Sequence, residues 1–243
     1  MTARAHRIAK ICLTAVQTGA VLLLLAPLAH RLGVLGLLPA FASLALGLVI
    51  CLLALPVSSV TWLVSRRRPD VVRQAGTATF LASLVLAIPA WAVLSNLDAP
   101  PIHHITTDPD DPPDFVAVVP LRGTTSTPIE YPGGDVEAQQ RAAYPDLQPL
   151  VIAADPVDVF ARALEVAESL GWEVVSAAED EGRIEATATT LWFGFKDDVV
   201  VRIRPHKDDG GSRVDLRSVS RVSGGDLGAN AARIRAFIAV LKS

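Results

Sequence analysis

Two adjacent histidines open an acidic run in PIHHITTDPDDPPDF, residues 101–115, whose ionisable members are His103, His104, Asp108, Asp110, Asp111 and Asp114. Imidazole and carboxylate side chains together can bind a divalent metal or move a proton. The spacing argues against a metal. Neighbouring residues of an extended segment point to opposite sides, so His103 and His104 do not converge, and the proline-broken aspartates lack the central glycine and closing glutamate of a calcium loop. No bound metal and no cofactor are expected. His103 either hydrogen-bonds into the fold or, with Asp108, contributes to a ligand site.

A second constellation lies near the far end, where Asp226, Asn230 and Arg233 fall at i, i+4 and i+7 on one helical stripe. Asp226 suits a helix cap, with Asn230 and Arg233 tying the preceding loop. A helix N-terminus beside SGGD and Arg221 equally suits a small anion or polar head group. In RVDLRSVSRV, Arg213, Asp215, Arg217, Val219 and Arg221 alternate with Val214, Leu216, Ser218, Ser220 and Val222, so a strand here puts its arginines on the face away from an apolar core. Arg202, Arg204, Arg183 and Glu185 join that charged set. Such a face is either braced by Arg–carboxylate pairs or open as an anion dock, since guanidinium gives bidentate contacts to carboxylate and phosphate. The stretch TLWFGFKDD adds an aromatic cluster about Gly194, either core and hairpin turn or a partner-facing edge. P-loop, HExxH, GxSxG, SxxK and dinucleotide signatures are all missing.

The elements that must carry these residues fall into two parts. Eight basic residues against one acid, Asp70, give residues 1–97 a net charge of +7, and 14 basic against 24 acidic residues give the remainder −10. A strongly acidic distal part argues against nucleic acid as a partner. Three uncharged apolar stretches, Ile11 to Ala29, Pro39 to Val64 and Ala75 to Leu97, approach or exceed the roughly 20 residues that a helix needs to span a bilayer. Pro27, Pro56 and Pro89 are expected to kink rather than end them. Gln17 and Thr18 are expected to face a neighbouring helix. Lys and Arg concentrate in TARAHRIAK and SRRRPDVVRQ, which places the N-terminus and the second loop in the cytoplasm. An odd number of spans then sends everything after Leu97 across the plasma (inner) membrane, into the periplasm or its equivalent. Cys12 and Cys51, inside apolar runs, offer neither a disulfide framework nor a lipidation box.

The domains expected are therefore a three-span region at 1–97, an extended acidic and Pro/Gly-rich segment at 98–149 with one short helix from Val136 to Ala143, and an exported α+β domain at 150–243. In the last, DPVDVFARALEVAESLG reads as a helix capped by Asp155, opened by Pro156 and stopped by Gly171. PLVIAA, WEVVSAA, RIEATATTLWF, DVVVRIRP and SRVDLRSVSRV read as strands, and Leu227 to Leu241 as a closing helix. The order β-α-β-β-β-β-α predicts an antiparallel sheet of four to five strands with helices on one face, a helix-grip or TBP-like arrangement.

Four stretches, PIHHITTDPDDPPDF, YPG, QQRAAYPDLQPL and SRVDLRSVSRVSGGDLGANAARIRAF, resemble a bacterial and plastid family known as domain of unknown function number fourteen ninety-nine, over roughly Pro101 to Leu241. The resemblance implies an exported or membrane-tethered protein and no particular reaction. The family pattern carries an aspartate after the first histidine, where this chain has His104. Two functional classes follow. One is a membrane-anchored binding module for a partner protein, a lipid or a small anion, with Arg217, Arg221, Asp226, Asn230, Arg233, His103 and Asp108 as candidate contacts. The other is an envelope hydrolase or transferase with a site near His103, Arg221 and Asp226.

Overall fold

The computed structural model describes residues 2–124, 126–206, 210–222 and 225–243. The chain forms two compact units, one of residues 1–95 with Leu191–Gly194, the other of 96–190 with 195–243.

In the first unit the uncharged runs become α1 (Thr2–Arg31), α2 (Leu37–Val64) and α3 (Pro69–Leu94). All three are long and apolar enough to cross a membrane. Pro27, Pro56 and Pro89 lie inside them without ending them. Small side chains let the helices approach: Cys12, Val16, Cys51, Ala54, Ala78 and Ala82 form their shared core. Glycine is required where α1 meets α2, because a Cβ on Gly47 would stand 2.7 Å from the Gly19 carbonyl oxygen. Large apolar side chains such as Leu24, Leu38, Leu52 and Phe80 point outward, as a lipid-facing surface requires. Gln17 and Thr18 correct the sequence expectation, for both are exposed while Cys12 and Val16 hold the inner stripe. The polar link between helices is instead the bond from the Thr79 hydroxyl to Ser58 Oγ, 3.0 Å.

The second unit is an open antiparallel sheet with helices, an α+β arrangement. Its strands are β1 (His104–Thr106), β2 (Leu150–Ile152), β3 (Glu173–Ala178), β4 (Arg183–Thr189), β5 (Lys196–Pro205) and β6 (Ser212–Ser220). Their order is β1-β6-β5-β4-β3, with β2 also paired to β6. Six strands replace the expected four to five because His104–Thr106, inside the proline-rich stretch, pairs with Val219, Ser218 and Arg217. Three residues between prolines carry too little periodicity to announce a strand. The outer edge of β1 does not go bare. Gln140, buried on α4 (Gly134–Ala143), accepts from the Thr106 amide at 3.0 Å and donates to its carbonyl at 2.7 Å, standing in for a neighbouring strand.

Helix α5 (Pro156–Ser169) starts as expected, with Asp155 accepting from the Val157 amide at 2.9 Å. Helix α6 (Ala229–Leu241) begins two residues later than expected, because Leu227 takes a left-handed conformation. Both pack on the face of β6 that shows Val214 and Leu216, where Phe160, Ala163, Ile184, Val201, Ile234 and Phe237 build the main core. Trp172 stacks on Phe237 with ring centres 5.2 Å apart. The sheet's other face is not open. Residues 108–124 and 126–131 cross it as a strap, and Phe115, Val118 and Ile129 meet Val200 and Val219 there. Between β4 and β5 the TLWFGF stretch makes a turn rather than further strand, closed by the Thr190 amide donating to the Phe195 carbonyl at 2.8 Å. Phe193 is buried there and Leu191 exposed.

Candidate functional site

The alternation in β6 places Arg213, Asp215, Arg217 and Val219 under the strap, and the register aligns Asp215 with Arg202, Arg213 with Arg204 and Arg217 with Val200. Asp215, fully buried, receives Arg202 Nη2 at 3.0 Å, Arg204 Nη2 at 2.8 Å and Arg213 Nε at 3.0 Å. From the strap, Asp111 takes Arg204 Nη1 at 2.8 Å and Asp108 takes Arg213. Asp110 pairs with Arg141 at 2.9 Å. Arg221 grips Asp198 through Nε at 3.0 Å and Nη2 at 2.7 Å, and Arg122 reaches the same carboxylate from above. Glu185 on β4 accepts from the Val116 and Val118 amides, each at 3.0 Å, and so anchors the strap by its backbone. Charge-assisted bonds in a dry setting hold such groups firmly, and they occupy the guanidinium donors that an anion dock would need. The sequence shows Asp215 and Glu185 in the charged set. Asp198 lies in the apolar-looking DVVVRIRP and gives no signal of its own.

Arg217 differs from its neighbours. It is 2% exposed and has no carboxylate in salt-bridge range among the described residues. Its guanidinium lies between the rings of Phe115 and Tyr131, 5.2 and 5.5 Å from their centres. It donates to the carbonyls of Pro113, at 3.2 Å, and Ile129, both in the strap, while its Nε has no partner. Burial pulls its pKa down to about 10, which leaves it charged at neutral pH. His104 Nδ1 lies 3.4 Å from Arg217 Nη2. Burial first, and the Arg217 charge second, hold the His104 pKa down at about 3, so this imidazole is neutral.

The second constellation sits at the start of α6. Asp226 caps the helix, accepting from the Gly228 and Asn230 amides, each at 2.8 Å. Asn230, fully buried, accepts from the Ser218 hydroxyl at 2.6 Å and donates to Ser220 Oγ at 2.9 Å and to the His103 carbonyl at 3.3 Å. Arg233 donates to Asp197 at 2.5 Å. Burial raises the Asp197 pKa even with Arg233 opposing it. Ser223 and Gly224 of the SGGD motif lie outside the described residues. These side chains tie α6 to β5, β6 and the segment that carries His103.

The His103 ring also has unused bonding capacity. Its Nδ1 is buried and unpartnered, and the ring meets His104 at 4.9 Å between centres. It forms part of the wall of a cavity of about 310 Å³ beside β1, with Pro101, Ile102, His104, Pro128, Glu130, Pro132 and Val136. Burial lowers the His103 pKa, Asp226 opposes the fall and Arg122 adds to it. The wall is largely proline and aliphatic, with the two imidazoles and Glu130 as its polar groups, a composition that suits a small apolar ligand carrying a polar handle. No three His, Cys, Asp or Glu side chains among the described residues are grouped to hold a metal ion. His103 is visible in the sequence as a candidate. The proline walls and Val136 come from three separate stretches, and only the fold joins them.

The model of the family described as "Protein of unknown function (DUF1499)" matches residues 104–241. No curated protein matches the chain in sequence.

Proposed function

We propose a function on the premise that the chain belongs to the DUF1499 family, whose description names no activity: it is a membrane-anchored envelope protein whose second unit is a binding module. The three spans and the basic residues of the α2–α3 turn support a reading in which that turn is cytoplasmic and the second unit lies outside the inner membrane. Of the partner, lipid and small-anion readings, the lipid-like one has most support, namely an apolar ligand with one polar handle. The observation that carries it is the proline-lined cavity itself, whose wall includes the His103 ring. Among the candidate contacts, His103 is assigned to the ligand. Arg217, Arg221, Asp108, Asp226, Asn230 and Arg233 are assigned to holding the strap and α6 that shape its pocket.

The test is to purify the full chain in mild detergent, extract what remains bound and identify it by mass spectrometry, beside Val136→Trp, which fills the cavity, and His103→Ala. A bound species present at near stoichiometry in the native chain and depleted in both variants is expected. Equal recovery from the Val136→Trp variant rejects the pocket.

The hydrolase or transferase reading keeps one supporting observation, the electrostatic coupling of His103 to Asp226. A His103 general base would need a water or substrate hydroxyl at Nδ1. Turnover of a lipid ester abolished by His103→Gln would favour that reading over simple binding.

A further inference from the structure

The basic residues of the first unit do more than orient it. The start of α1 and the α2–α3 turn meet at one end of the helices: Ala5 and Ala9 pack with Val71 and Ala75, and His6 Nδ1 lies 3.2 Å from Asp70 Oδ2. That fold gathers Arg4, Arg7 and Lys10 from α1 with Arg66, Arg67, Arg68 and Arg73. Asp70 is the single acid of the first 97 residues, and its partner is His6. Among the described residues none of the seven cations pairs with a carboxylate, and all except Arg68 are exposed. This contrasts with the second unit, where Arg202, Arg204, Arg213 and Arg221 of the sheet face are paired with buried acids.

Two recesses accompany the charge. One, of about 430 Å³, is lined by Arg7, Lys10, Ile11, Thr14 and Ala15, with cations at its outer end and apolar residues running toward the bilayer centre along one stripe of α1. The other, of about 490 Å³, is lined by Ala5, Val64, Ser65 and Arg66–Arg68. Ile11 is 59% exposed, so an apolar surface directly follows the cationic one. A soluble phosphate would use the cations alone, whereas a phospholipid uses both, its phosphodiester on Arg7 and Lys10 and its first acyl carbons on Ile11 and Ala15. We propose that this end of the first unit is a binding site for an anionic phospholipid, with Arg7 and Lys10 as its head-group contacts. Juxtamembrane Lys and Arg each contribute favourably to anionic-lipid binding, and lining a recess with them localises that attraction. The inference does not depend on the His103 pocket.

The experiment uses the full chain in detergent micelles, titrated with phosphatidylglycerol or phosphatidylcholine and read by native mass spectrometry. Phosphatidylglycerol is expected to bind tighter than phosphatidylcholine, and that preference is expected to fall about thirtyfold in Arg7→Gln/Lys10→Gln. It should survive in Arg7→Lys/Lys10→Arg, which keeps both charges. Soluble glycerol phosphate should fail to displace the lipid. Equal affinity for the two lipids, an unchanged preference in the neutral double variant, loss in the charge-preserving variant, or displacement by glycerol phosphate would each overturn the proposal. The ligand of the His103 pocket, read with Val136→Trp, is a separate measurement and can fail alone.

Discussion

His104 is the residue through which pH should act on the fold. Its neutral ring is wedged beside the Arg217 guanidinium, with His103 and Arg122 adding positive potential and Tyr131 6.4 Å away between ring centres. Unfolded, the imidazole titrates near 6.5, and folded it titrates at about 3. As pH falls through 6.5 the unfolded chain takes up a proton that the folded chain refuses, so acid must destabilise. The loss is negligible at pH 7.5. It reaches about 2 kcal/mol at pH 5, from 1.36 kcal/mol per pH unit over the 1.5 units between 6.5 and 5. The full chain in detergent would be unfolded with urea at pH 7.5 and pH 5, beside His104→Gln, which cannot take the proton. The native chain should lose about 2 kcal/mol more than the variant between the two pH values. Ring C–H signals of labelled histidine should show His104 untitrated at pH 5. A His104 ring titrating above about pH 5 in the folded protein, or an identical pH slope in the variant, would refute the reasoning.

Asp215→Asn removes the buried charge shared by Arg202, Arg204 and Arg213, and should destabilise by about 1–3 kcal/mol in urea unfolding, because charge-assisted bonds are lost while Asp108 and Asp111 still hold the part-exposed guanidiniums. Gly182→Ala, at φ +59° with a Cβ that would stand 2.1 Å from the Ile203 carbonyl oxygen, should cost more than about 1 kcal/mol in the same assay. Asp155→Ala removes the α5 cap and should cost about 1 kcal/mol. A reporter active only outside the cytoplasm, fused after Ser243, should be active, and an inactive fusion at full expression would reject the three-span topology.

The long elements were legible because their signals are strong and local. Uncharged runs gave three helices, Asp155-Pro156 gave the start of α5, and the alternation in RVDLRSVSRV separated the two faces of β6 correctly. The bracing of the arginine face was legible in part: aspartates of 108–114 do meet sheet arginines, namely Arg202, Arg204 and Arg213, while Arg221 turns to Asp198. Arg217 ends on carbonyls and aromatic rings instead of a carboxylate, a choice made by burial and packing rather than by sequence spacing. Gln140 at the β1 edge and the wall of the His103 cavity were invisible for a related reason. Each depends on residues some 30 apart that become neighbours only once β1 has docked on β6.

The placement of β1 and the strap also sets an order of events. His104 pairs with Val219, and Glu185 captures the Val116 and Val118 amides, so the segment leaving α3 must wait for partners made 67 to 115 residues later. Contacts of such long sequence separation close slowly. During synthesis the acidic segment therefore emerges before the strands it pairs with and settles after them. The arrival of β6 gives Asp108 its Arg213, gives β1 its partner strand and brings Arg217 under the strap. A chain cut just before Ser212 would retain its membrane helices, α5, β4 and β5, yet have no edge for β1 and only part of the floor for the strap.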